Sequence, residues 1–119
     1  MITRTKLKNL IYEATKDITS HLYTDEYWHG VSMIRIAIED LIDEYNGGYY
    51  LSMFVNDGGY CRSKDGMSQW KEYIINIYSD DSDTSTPVIQ GTLNCHAAGT
   101  VADPFSAYDM SLVLYLNNE

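Results

Sequence analysis

Two apolar stripes at helical spacing open the chain. Leu7, Leu10, Ile11, Ala14, Ile18 and Leu22 recur every three or four residues, which predicts an amphipathic helix over 5–22. Thr3 or Thr5 is placed to cap it. A link follows at Leu22-Tyr23-Thr24-Asp25-Glu26, where Thr24 or Asp25 starts a second helix. Val31, Ile34, Ile38, Leu41, Ile42 and Tyr45 share one face of that helix, and Asn46-Gly47-Gly48 ends it. Alternating isoleucines also allow a strand over Ser32–Ile38, but the later three- and four-residue spacing favours helix.

The pattern then changes to a period of two. Tyr49–Val55 has strand composition and runs into Asn56-Asp57-Gly58-Gly59, a hairpin signal. Tyr60–Ser63 reads as a short return strand and Met67–Trp70 as a helical turn. Glu72–Tyr78 alternates, with Tyr73, Ile75 and Ile77 on one face. A polar acidic loop over 80–86 closes at Pro87, and Val88–Cys95 and Tyr108–Leu116 are further strands. Helices followed by strands imply one α+β domain over 1–119, with a helical part at about 3–46 and a sheet part at about 49–117. Two N-terminal helices pack on one face of a C-terminal antiparallel sheet of three to five strands. The other face would carry Ser52, Phe54, Asn76, Tyr78, Gln90, Thr92 and Asn94, a mix suited to a binding surface or a homodimer seam.

Charge narrows the function classes. Seventeen acids against eight bases give −9, and four of those bases (Arg4, Lys6, Lys8, Lys16) lie in the first sixteen residues beside one acid, Glu13. The remaining chain is strongly acidic, which repels nucleic acid and attracts basic protein surfaces. The eleven tyrosines suit both interfaces and strands. The N-terminus lacks the apolar core of a signal peptide and no run is long enough to span a membrane, so a cytoplasmic location in a bacterial host is expected. Cys61 and Cys95 read as free thiols.

Candidate partner-binding residues follow from the charge. Glu39, Asp40, Asp43 and Glu44 form an acidic stripe on the second helix. Glu39 and Asp43 are four apart, as are Asp40 and Glu44, and each like-charge pair costs a helix about 0.2–0.5 kcal/mol. Asp80, Asp81 and Asp83, with Tyr78 before them, supply a second acidic group. They lack the glycine and closing glutamate of a calcium loop. The long connection 94–109 is a candidate loop, with His96, Thr100, Asp103, Ser106 and Tyr108 as its polar groups; its ordinary reading is a loop packed on itself.

No catalytic or metal site emerges. Cys95 and His96 are adjacent in a strand and point to opposite faces, so they do not pair. His21, His29, His96, Cys61 and Cys95 match no zinc spacing. The glycine pairs fit no phosphate cradle. A non-enzymatic protein without cofactor or metal is expected.

The short single domain, the stripe Glu39-Asp40-Asp43-Glu44, the loop Asp80-Asp81-Ser82-Asp83 and the tyrosines resemble the small acidic inhibitors of phages and mobile elements. These include anti-CRISPR proteins, inhibitors of DNA-processing enzymes and immunity proteins of nuclease toxins. The resemblance implies a stoichiometric blocker of a basic, nucleic-acid-handling protein or nuclease, and it assigns no individual residue a role. The alternative is a homo-oligomer that sequesters a nucleotide signal, with 96–108 as lid and Arg62 or Lys64 at a phosphate. An enzyme using His96, Asp103 and Asp109, and a phage assembly component, complete the classes considered.

Overall fold

A computed structural model describes residues 2–19, 27–45, 48–63, 66–80, 86–97 and 108–117, with the backbone alone described at 27–29, 60–63, 66–69, 97 and 108. Helix α1 spans Arg4–Thr19 and α2 spans Tyr27–Glu44. Four strands follow: β1 (Tyr49–Ser63), β2 (Gly66–Ser79), β3 (Ile89–Ala97) and β4 (Tyr108–Leu116). They form one antiparallel meander in the order β1-β2-β3-β4. The α+β arrangement read from the sequence is the observed one.

Thr3 caps α1, its hydroxyl accepting from the Lys6 amide at 3.1 Å. The buried stripe of α1 is Leu7, Ile11, Thr15 and Ile18. Ala14, expected inside, is exposed, and Thr15 takes the inner position. Its hydroxyl donates to the Ile11 carbonyl at 2.7 Å, so a buried polar group is satisfied within the helix. On α2, Val31, Ile34, Ile38 and Ile42 are buried and Leu41 packs beside them. Gly48, at φ 76°, makes the turn from α2 into β1. The proposed helix start at Thr24 or Asp25 and the stop at Asn46-Gly47 lie outside the described residues.

The helices cover one sheet face. There Tyr49 and Met53 meet Tyr73, Ile75 and Ile77 of β2, Ile89, Leu93 and Cys95 of β3, and Met110 and Leu114 of β4. Register explains the alternation: Met53, Ile75, Gly91 and Leu114 lie in one cross-strand row. Gly91 is required in that row. A Cβ there would collide with the Val113 carbonyl oxygen and stand 2.7 Å from Leu114 Cδ2.

The expected hairpin at Asn56-Asp57-Gly58-Gly59 is corrected. β1 runs through it to Ser63, and the chain reverses between Ser63 and Gly66. Asn56 is the extra residue of a bulge, since Val55 pairs with Tyr73 and Asp57 with Glu72. Its Nδ2 donates to Glu72 Oε1 at 2.8 Å. The glycines serve close approach instead of reversal: a Cβ at Gly59 would stand 3.3 Å from Trp70 Nε1, and one at Gly58 3.2 Å from the Trp70 carbonyl oxygen. Tyr60–Ser63 therefore continues β1, and Met67–Trp70 belongs to β2 and forms no helical turn. Among the described residues, beyond the end of β3 this ribbon pairs only with itself. It stretches the molecule to 50 × 25 × 16 Å, with a radius of gyration of 15.7 Å against about 13.5 Å for a compact chain of this length.

Candidate functional site

Both sheet edges are held by the helices. On the β4 edge, the Tyr12 hydroxyl of α1 donates to the Leu114 carbonyl at 3.1 Å and accepts from the Leu114 amide at 2.6 Å. On the β1 edge, Arg35 of α2 donates from Nη2 to the Met53 carbonyl at 2.9 Å. Three edge groups that could otherwise pair with another strand, the Leu114 amide and carbonyl and the Met53 carbonyl, are thus occupied.

Two surfaces remain. The first is the C-terminal end of α2. Glu39, Asp40, Asp43 and Glu44 are all exposed there, and the last turn has no basic residue. A helix C-terminus already carries the negative end of the backbone dipole, so four carboxylates deepen an unfavourable field. The ion pair described on the helices, Lys16 to Glu13 at 2.6 Å, lies on α1 and involves none of the four. The basic start of α1 comes near this end, with Lys6 Nζ 6.0 Å from the centre of the Tyr45 ring. Glu39 and Asp43 also line an open cleft of about 260 Å³ with Ile42, Tyr49, Tyr50 and Leu51. The cleft has carboxylates on its α2 side and an aromatic, aliphatic wall on β1.

The second surface is the uncovered sheet face. One row runs Ser52, Asn76, Gln90, Tyr115, and the next Phe54, Ile74, Thr92, Val113. Tyr50 and Tyr78 stack above them, ring centres 5.3 Å apart and planes 19° apart. Phe54, Val113 and Tyr115 are each about half exposed (48%, 50% and 49%). Asn76 is only 9% exposed, and its Oδ1 has no hydrogen-bond partner.

The structure separates the residues that the sequence grouped. The four α2 carboxylates stand together at the helix end, while Tyr78 lies on the open sheet face. Tyr50 joins the two surfaces, since it lines the cleft and stacks on Tyr78. Asp80 is exposed at the acidic end, its amide donating to the Gly48 carbonyl at 2.9 Å. Asp81 and Asp83 lie outside the described residues, as do Thr100, Asp103 and Ser106. Tyr108 is placed by backbone alone, opposite Ala97. His96 is exposed on the outer face and faces Asp109 across the β3–β4 pair. Cys95 is buried on the opposite face, and burial pushes its thiol up to about 12. His21 and the side chains of His29, Cys61 and Arg62 lie outside the description, as does Lys64. Among the described residues, no three His, Cys, Asp or Glu gather as metal ligands, and no helix is long and apolar enough to cross a membrane.

Sequence reasoning missed Tyr12 and Arg35. Each had a faint signal: Tyr12 borders Ile11 on the apolar stripe, and Arg35 is the lone base of α2. It also missed Tyr49, Tyr50 and Leu51 as a cleft wall, because adjacency to α2 depends on which strand forms the edge.

Comparison with known proteins leaves the geometry as the guide: the chain matches no family model, and no curated protein or solved structure matches it significantly.

Proposed function

We propose that this is a non-enzymatic binding protein that occludes a cationic protein surface, with the acidic end of α2 as its contact. The observation that carries the reading is the cleft beside Glu39 and Asp43. A lysine or arginine side chain laid there rests its methylene stem on Tyr49, Tyr50 and Leu51. Its charged head then meets the two carboxylates. A partner's cation also relieves the like-charge spacing and the dipole conflict at the helix end. Sites that break a local rule at some cost to the fold are where binding function concentrates.

The partner class that fits is a basic protein whose cationic groove handles nucleic acid, as for the phage and mobile-element inhibitors that the sequence resembles. Asp80 extends the negative field at the same end, and Asp81 and Asp83 follow it in sequence. Long-range attraction steers such an encounter and is screened by salt. The nucleotide-sequestering alternative is less well supported by this cleft, since a phosphate entering it would face Glu39 and Asp43.

The test is affinity capture from a bacterial lysate at low salt, run in parallel with the native chain and a Glu39→Lys/Asp43→Lys chain. A basic nucleic-acid-handling protein captured by the native chain, released by salt and lost with the double reversal supports the reading. Capture that survives the reversal sinks it.

A further inference from the structure

We infer that the partner presents an extended segment bearing lysine or arginine, which adds to the β1 edge as a strand with Leu51 as its backbone contact. The inference rests on the acidic cleft as the contact surface and names the form of partner that enters it. Tyr49, Tyr50 and Leu51 are consecutive residues of β1, so their side chains leave the sheet on alternate faces. All three line the same cleft as Glu39 and Asp43. A cleft that touches side chains from both faces of a strand lies along its edge, and β2 covers the other edge of β1.

The open backbone of that edge follows from alternation. In an antiparallel pair, residues whose N–H and C=O face the neighbouring strand alternate with residues whose groups face away. The Gly48 carbonyl accepts from the Asp80 amide, on the β2 side. The Met53 carbonyl faces the other way, toward Arg35. Tyr50 and Ser52 therefore pair with β2, and Leu51 turns its amide and carbonyl outward. The same alternation, carried through the register of all four strands, turns both backbone groups of Leu114 outward, where Tyr12 holds them. Among the described residues, the outward amide and carbonyl of Leu51 have no corresponding bond.

Helix α2 runs beside this edge in the opposite direction. Arg35 meets Met53, and Glu39 and Asp43, farther along the helix, line the cleft with Leu51 and Tyr49, farther back along the strand. An added antiparallel residue opposite Leu51 exchanges two backbone bonds with it and turns its side chain to the α2 side of the sheet. A lysine or arginine at that position meets the carboxylates. Glu39 and Asp43 lie about 6 Å apart along the helix, and alternate residues of a strand lie about 6.8 Å apart, so basic residues two apart match both. A second copy of this chain does not fit. Its β1 carries no base from Tyr49 to Gly59, and edge-to-edge pairing would bring two acidic helix ends together.

The probe is the capped peptide Val-Lys-Val-Lys-Val-Lys-Val, titrated into the full chain and followed by calorimetry and amide NMR. Two methylated forms keep its charge. One carries N-methyl groups on the lysine amides, which face β1 in the added strand; the other carries them on the valine amides, which face away. The parent and the valine-methylated peptide should bind and shift the Leu51 amide resonance. Methylation of the lysine amides should weaken binding by about tenfold or more. Glu39→Lys/Asp43→Lys should abolish binding of all three. Leu51→Pro removes an outward N–H that the β1–β2 ladder does not use, so the chain should still fold, as read by circular dichroism, and bind the parent about tenfold or more weaker. The methylated pair decides the matter whether or not that variant folds. Equal binding of the three peptides overturns strand addition and leaves the acidic cleft as a side-chain contact. Absence of binding by any peptide up to about 1 mM overturns both.

Discussion

Tyr12 holds Leu114 by both of its backbone groups: the hydroxyl donates to the carbonyl oxygen and accepts from the amide nitrogen. One helix side chain thereby replaces a missing strand neighbour at the β4 edge. Tyr12→Phe keeps the ring and removes both bonds. The expected loss is about 1–3 kcal/mol, because two partly buried backbone groups are left unpaired. Thermal unfolding should show a Tm lower by several degrees, and an unchanged Tm would mean that water replaces the hydroxyl at no cost.

Gly91 is expected to be the least replaceable residue of the sheet. An added methyl group meets the Val113 carbonyl and Leu114, so β3 and β4 have to separate. Gly91→Ala should cost about 3 kcal/mol or more, or prevent folding, as read by denaturant titration. A loss below about 1 kcal/mol would show that the strands adjust freely.

Cys95 gives a pH dependence with a definite sign. Its folded pKa is raised from 9.0 to about 12 by burial. The folded state therefore keeps a proton that the unfolded state releases above pH 9.0. This contribution is constant below that value and falls as pH rises toward about 12, by up to about 1.4 kcal/mol per pH unit. The check is the difference in slope between the native and Cys95→Val chains in that window. In a Cys61→Ser background, alkylation at pH 8 should be slow in the folded chain and fast in denaturant. Fast labelling of the folded chain would contradict the burial.

Charge reversal at Glu39 and Asp43 should separate binding from stability. Both side chains are exposed; the double reversal keeps a like-charge pair at the same spacing but places cations at the helix C-terminus, where the backbone dipole favours them, so stability should be unchanged or a few tenths of a kcal/mol higher. A cationic partner should lose affinity by at least about tenfold, and the remaining binding should depend less on salt. Destabilisation by more than about 1 kcal/mol would assign these carboxylates to the fold instead.

The fold was legible where burial imposes a period. The spacing of Val31, Ile34, Ile38 and Ile42 gave α2 its inner face, and the alternation from Tyr108 to Leu116 gave β4. The hairpin was misread because Asn56-Asp57-Gly58-Gly59 carries turn chemistry that a bulge beside Trp70 uses equally well. Local sequence does not report which cross-strand side chain lies over a glycine. The outer face was legible as a set from Ser52 to Asn94, since alternation fixes the face once the inner residues are known. The unpaired Asn76 Oδ1 was not legible, because satisfaction depends on neighbours from other strands. The α2 stripe could be read from charge alone, but the cleft wall from Tyr49 to Leu51 needed the sheet order.

The most direct test of the proposed binding role is hydrogen exchange of this chain, free and saturated with a basic protein that it captures. Protection is expected at the C-terminal turns of α2 and at Tyr49–Leu51, and it should vanish with Glu39→Lys/Asp43→Lys. Protection confined to the outer-face strands, with 39–51 exchanging as in the free chain, would contradict the acidic cleft as the contact.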